Sequence, residues 1–332
     1  MISTKKRFFG QILLVLAIAS SFAIDAQERS DKTSKNIAAS ILNTNAQDLK
    51  LKSKLMARQM PYRVVLPVNY GNSDETTFYP VIYLLHGLTG HFDDWADKTK
   101  LKDYAKNYNY IIVMPEGNNG WYTDSATVAS DKYESYIIRE LIPEIEKKFR
   151  AKTTRDSRAV AGLSMGGYGA IKFGLKYPEM FALVGSFSGA LGAGTWTEKT
   201  LGANGGAIAV SILSVFGIEN SQTRQTNDIF KIAREMSPEK IKSLPFIYQD
   251  CGTEDFLYQN NRDFVALLQE KRIPHEFREL PGNHNWIFWN TQIKQFLELS
   301  ENFLVSDNKK LEPGINQEFI NSLPTKKTKQ HK

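Results

Sequence analysis

The 332-residue sequence contains one cysteine, Cys251, and five histidines. A single thiol excludes an internal disulfide framework and any cysteine-based zinc site. The chain has no His-Glu-x-x-His pattern and no Gly-Lys-Ser phosphate loop. Zinc-protease and P-loop chemistry therefore have no support, and no metal or organic cofactor is expected. No apolar run reaches the ~18–20 residues that a spanning helix needs, so stable membrane insertion is not expected. No internal repeat appears at solenoid spacing.

The chain also lacks a basic excess where a nucleic-acid partner would need one. Its formal charge is +6, but residues 1–26 carry +2 and the tail from Lys326 carries +4. Residues 27–325 are thus neutral overall, and no nucleic-acid partner is expected.

What is present starts with an N-terminal leader. Lys5-Lys6-Arg7 precedes a short apolar run from Ile12 to Ser20. Ser21-Phe22-Ala23 and Ile24-Asp25-Ala26 each offer a small residue before a cut. Residues 1–26 therefore read as a secretory signal. No Cys follows the apolar run, so a lipoprotein is not implied, and export to a periplasm or the outside is expected. Residues 27–58 read as a polar leader ahead of the fold. Residues 306–332, with Pro313, Gly314, Pro324 and the lysine cluster, read as a polar, disordered tail.

Between the ends, short apolar runs alternate with helical periods. Tyr62–Leu66, Val81–Leu85, Ile111–Met114, Ala159–Gly162, Leu183–Phe187, Phe246–Gln249 and His275–Leu280 read as strands. Lys132–Phe149, Met165–Tyr177, Phe256–Arg272 and Trp286–Phe303 read as helices. This alternation predicts one α/β domain over residues 59–305, with a mostly parallel sheet covered by helices on both faces. The Gly-rich stretch Ala190–Pro245 interrupts the rhythm and reads as a cap-like insertion.

Gly162-Leu163-Ser164-Met165-Gly166 lies between a predicted strand and a predicted helix. Gly-x-Ser-x-Gly in that setting is a nucleophile elbow. It projects the Ser164 hydroxyl above the sheet and aims the Met165 N–H at a developing oxyanion. A serine at its ordinary pKa needs a base and an orienting acid. His331 lies in the tail, His275 lies in a predicted strand, and His86 precedes the serine. The order Ser, acid, His therefore selects His284, in a loop between strand and helix. Asp255 is the expected acid, with Asp250 and Glu254 as rivals. Leu88, in Leu85-His86-Gly87-Leu88 after an early strand, is the expected second oxyanion donor. Trp95, Trp121 and Trp286 are candidate substrate contacts.

Four segments in order carry a resemblance. They are Leu84-Leu85-His86-Gly87-Leu88, Ala161-Gly162-Leu163-Ser164-Met165-Gly166-Gly167-Tyr168-Gly169-Ala170, Cys251-Gly252-Thr253-Glu254-Asp255-Phe256-Leu257-Tyr258 and Gly282-Asn283-His284-Asn285-Trp286. Over about Tyr62 to Phe303 the chain resembles the α/β-hydrolase esterases that include esterase D (S-formylglutathione hydrolase), tributyrin and feruloyl esterases, and mycolyltransferases. The resemblance implies an α/β-hydrolase fold and a nucleophile, acid and base at Ser164, Asp255 and His284. It places the oxyanion donors at Leu88 and Met165. Where the family usually has Asp after the base, this chain has Asn285. Esterase D proteins are typically cytosolic, so the leader argues against glutathione thioesters.

The expected activity is hydrolysis of short-chain acyl or aryl esters, of acetyl or feruloyl type. The expected partner is a small-molecule or polysaccharide-linked ester. The other readings are a mycolyltransferase-type acyltransferase, which product analysis with added alcohol would separate, and a non-catalytic binding protein on the same fold.

Overall fold

The computed structural model describes residues 46–201 and 206–305. The signal-peptide and tail expectations lie outside the described residues. The chain divides into a short first unit, Met1–Gln47, and a second, Asp48–Lys332; the architecture below is that of the second. Its centre is an eight-stranded sheet of order β1-β2-β4-β3-β5-β6-β7-β8. The strands are β1 (Ala46–Ser53), β2 (Arg58–Val65), β3 (Val81–Leu85), β4 (Ile111–Pro115), β5 (Arg158–Leu163), β6 (Leu183–Phe187), β7 (Phe246–Gly252) and β8 (His275–Leu280). β2 runs antiparallel to β4, and the pairs from β4 through β8 are parallel.

Every residue of β3, β4, β5, β6 and β7 is buried. These strands therefore read as continuous apolar runs rather than alternating ones, as a parallel sheet covered on both faces requires. Each fully buried Val, Leu or Ile contributes roughly 1.5–3 kcal/mol. The strand and helix expectations agree with the observed elements, with one correction. The boundary at residue 59 is too late, because β1 belongs to the sheet. Leu49 and Leu51 are half-buried, while Asp48, Lys50 and Lys52 face solvent. That period-two pattern was the available signal, and the lysines masked it.

Five helices matter for the site: α1 (Asp94–Lys98), α2 (Met165–Lys176), α3 (Gly206–Phe216), α4 (Tyr258–Glu270) and α5 (Trp286–Ser300). α2 is buried from Met165 through Leu175, so it packs as a core element. The insertion's described residues include α3 and four shorter helices, Glu198–Leu201, Gln222–Asn227, Ile229–Arg234 and Pro238–Ser243. The insertion is tied to the core by Tyr168 Oη donating to the Asn227 carbonyl at 2.7 Å and Trp121 Nε1 donating to Ser211 Oγ at 3.0 Å.

Strand order reverses at β3, with β4 on one side and β5 on the other. Open parallel sheets bind ligands beyond the carboxyl ends of the strands at such a switch point. The register brings those ends level: Leu85 pairs with Gly162, Leu163 with Phe187, Phe187 with Asp250, and Gly252 with Leu280. The loops after β3, β5, β7 and β8 therefore open on the same side. They carry Leu88, Ser164, Asp255 and His284 respectively.

Candidate active site

Ser164 follows β5 directly and opens α2 with φ 52° and ψ −114°. That conformation is unfavourable for a residue with a Cβ and persists only where the surroundings hold it. Here they do. The Ser164 N–H donates to the Phe187 carbonyl at 2.9 Å, and its own carbonyl accepts from Tyr168 N and Ala190 N at 3.1 and 2.9 Å. The two glycines of the motif touch each other. A Cβ on Gly162 would lie 2.5 Å from the Gly166 carbonyl carbon, and one on Gly166 would lie 2.5 Å from the Leu85 carbonyl oxygen. Strand, turn and helix can pack this closely only without side chains at those positions.

His284 and Asp255 come from neighbouring loops that are stitched together. Thr253 N donates to the Leu280 carbonyl at 2.9 Å and Glu254 N to the Gly282 carbonyl at 3.0 Å. Gly282 N donates to Glu254 Oε2 at 2.5 Å. The result is a 2.8 Å contact between His284 Nδ1 and Asp255 Oδ2. The Asp255 carboxylate is inaccessible, whereas the imidazole retains 19 % of its surface. Asp255 also accepts from Leu257 N at 2.8 Å. Burial pushes the Asp255 carboxyl up, but the His284 hydrogen bond and charge and the Leu257 amide outweigh it and hold it below the usual carboxylate range.

The rival acids have other surroundings. Glu254 ties the two loops and is exposed. Asp250 is fully buried within β7, and burial pushes its carboxyl well above the ordinary value. It belongs to the strand itself, and the carboxylate that meets His284 Nδ1 is that of Asp255.

Ser164 and His284 line one cleft of about 310 Å³, together with Gly87, Leu88, Asp94, Lys98 and Trp286. The Leu88 and Met165 amides have no acceptor among the described residues. His86 is buried, with Nδ1 2.7 Å from the Gly87 carbonyl and Nε2 accepting from Gly117 N at 2.9 Å; it does not line the cleft.

The tryptophans divide. Trp286 lines the cleft, with Lys98 Nζ 5.2 Å from its ring centre. Trp95 and Trp121, expected as substrate contacts, do not line it and are corrected to interior residues. Trp95 is 1 % exposed and donates through Nε1 to the Leu85 carbonyl at 2.9 Å. Trp121 is 2 % exposed and reaches the insertion instead. None of the insertion's described residues lines the cleft. Sequence reasoning missed Phe256, which is 71 % exposed with its ring centre 4.7 Å from that of His284. An exposed phenylalanine next to the expected acid was the only signal.

Residues 53–298 match the Esterase family, described as "Putative esterase". The acetyl esterase of Caldicellulosiruptor saccharolyticus is 30% identical over 256 residues, 74% of this chain and 94% of that protein. The chain belongs to the esterase family. It is a carboxylic ester hydrolase with an α/β-hydrolase fold, and two solved structures agree. A ferulic acid esterase superposes with a TM-score of 0.66 at 29% identity, covering 77% of this chain and 97% of that one. The fluorophosphonate-binding serine hydrolase F of Staphylococcus aureus superposes with a TM-score of 0.67 at 26% identity, covering 77% and 98%. Among the described residues of this esterase, no group of three or more His, Cys, Asp or Glu could hold a metal ion. No helix among them is long and apolar enough to cross a membrane.

Proposed function

We propose that this esterase is an exported serine carboxylesterase acting on short-chain acyl or aryl esters through Ser164, His284 and Asp255. The observation that carries the reading is the His284–Asp255 contact at 2.8 Å beside a serine in the same cleft. Asp255 accepts from Nδ1–H and leaves Nε2 free to act as base. Ser164 Oγ attacks the ester carbonyl as its proton passes to Nε2. The oxyanion rests on the Leu88 and Met165 amides, each contributing about 3 kcal/mol to the transition state. Collapse breaks the ester C–O bond, and Nε2–H protonates the departing alcohol. Water then attacks the acyl-enzyme by the same route and releases the acid.

Export is supported by Lys5-Lys6-Arg7 and the apolar run that follows. Acetyl and feruloyl-type acyl groups are favoured by the names of the relatives, and Trp286 offers an aromatic surface within the cleft.

The test is hydrolysis of p-nitrophenyl acetate and butyrate by the wild type and by Ser164→Ala. A loss of several orders of magnitude in the variant supports acyl-serine chemistry. Equal rates for both proteins would overturn it. Adding an alcohol to the wild-type reaction and analysing the products separates hydrolysis from acyl transfer.

A further inference from the structure

α2 carries a lysine that the ester chemistry leaves unused. Lys172 lies two turns beyond Ser164 and has no exposed surface. Its ammonium donates to the Tyr122 carbonyl at 2.6 Å and to Thr123 Oγ1 at 2.7 Å, and pairs with Glu134 Oε2 at 2.8 Å. Three N–H donors meet three acceptors, the condition under which a buried ammonium is tolerated.

The segment it holds is strained. Trp121 and Tyr122 both have φ 50°, and Asn118 has φ 41°. Tyr122 lies on its neighbours without slack: a Cβ on Gly117 or Gly169 would come within 2.6 or 2.7 Å of its ring. Strain of this kind recurs where surrounding structure fixes a functional geometry.

What the segment fixes is the loop after β3. Tyr122 Oη donates to the His86 carbonyl at 2.9 Å. Gly117 N donates to His86 Nε2 at 2.9 Å, and Thr89 N donates to Asn119 Oδ1 at 2.8 Å. Residues 117–122 thus grip the loop on both sides of Leu88. An oxyanion donor is effective only when it is aimed before the charge develops.

We infer that Tyr122, anchored through its backbone by Lys172, is a positioning residue that sets the Leu88 N–H against the oxyanion. This rests on the serine-esterase reading above. Tyr122 and Lys172 are both buried away from the cleft lining and act through His86 rather than on substrate. Lys172 thereby couples the nucleophile's own helix to the opposite wall of the oxyanion site.

The experiment compares wild type, Tyr122→Phe and Lys172→Met using p-nitrophenyl butyrate and n-butylboronic acid, whose adduct with the serine mimics the tetrahedral intermediate. Tyr122→Phe removes one hydroxyl from a well-packed ring. It is expected to lower kcat roughly ten- to thirty-fold, below the loss seen when an oxyanion donor is itself deleted. KM should stay within about two-fold and the boronate Ki should rise by about the same factor as kcat falls. Lys172→Met should show the same pattern more strongly; if it fails to fold, Tyr122→Phe alone decides. Unchanged kcat and Ki in Tyr122→Phe would overturn the inference, as would a fall in melting temperature with the boronate Ki unmoved. Ser164→Ala separates the two levels. If it retains activity, the esterase reading itself fails. If it is inactive while Tyr122→Phe behaves as wild type, only this inference fails.

Discussion

His284 Nδ1 lies 2.8 Å from Asp255 Oδ2, and the two residues are held together by backbone bonds between the loops that carry them. The imidazole is therefore oriented before any substrate arrives. Replacing Asp255 by Asn keeps the volume but offers an amide in place of the charge. The expected outcome is a fall in kcat of ~10³–10⁴ with KM little changed. Steady-state kinetics on p-nitrophenyl acetate checks it, and a loss under ten-fold would remove Asp255 from its role.

Gly166→Ala sets two effects against each other. Ala in a helix is favoured over Gly by about 1 kcal/mol. Its Cβ would lie 2.5 Å from the Leu85 carbonyl oxygen and 2.7 Å from the His86 carbonyl oxygen. Both are backbone atoms of β3 and the following loop and cannot rotate aside. The clash should win, with net destabilisation of at least ~2 kcal/mol in urea unfolding. A neutral or stabilising result would mean that the elbow and β3 are less tightly packed than their geometry indicates.

Phe256 packs its ring on His284 while leaving most of its surface in solvent. Little apolar area is at stake, so Phe256→Ala should change stability by less than ~1 kcal/mol. The imidazole loses a wall, and kcat should fall about three- to ten-fold. Thermal melts and kcat measured side by side would expose the opposite pattern, a large stability loss with unchanged turnover.

The buried ion pair predicts a pH dependence. Burial raises the Glu134 carboxyl, but the Lys172 and Lys176 charges lower it more, to about 2. Burial lowers Lys172 to about 8, with Glu134 opposing. Both are charged at pH 7. The lowered Glu134 value favours the folded state above its ordinary 4.5, and that contribution is lost as pH falls towards 2. Lys172, lowered from 10.5, works in the alkaline window. Between about 8 and 10.5 the unfolded chain binds more protons, so this group favours folding increasingly as pH rises. Melting temperatures of wild type and Glu134→Gln from pH 2 to 7 should converge at the acid end. Parallel curves would contradict the assignment.

Legibility in the sequence followed the range of the interaction. The elbow was readable because its constraint is local: Gly162 and Gly166 flank the serine that they admit. The strands β3 to β7 were readable because burial on both faces leaves unbroken apolar runs. β1 was not, because an edge strand with Lys50 and Lys52 facing water resembles a polar leader. Trp95 and Trp121 stand in segments expected around the site, yet both side chains are buried in the interior. Chain position locates a backbone, while side-chain direction depends on what packs around it.

The sequence by itself determined the alternation of strand and helix, the strand–serine–helix turn and the order in which the polar loops follow. Those features depend on backbone period and on sterics among near neighbours. Only the tertiary structure decided that Asp255, rather than Asp250 or Glu254, meets His284, and that Lys172 holds the segment gripping the Leu88 loop. These pairings join residues 29 to 50 positions apart, and strand order and register set them. The physical reason is that a buried charge or hydrogen-bond donor is satisfied by whatever the folded sheet brings beside it, and no local pattern records that neighbour.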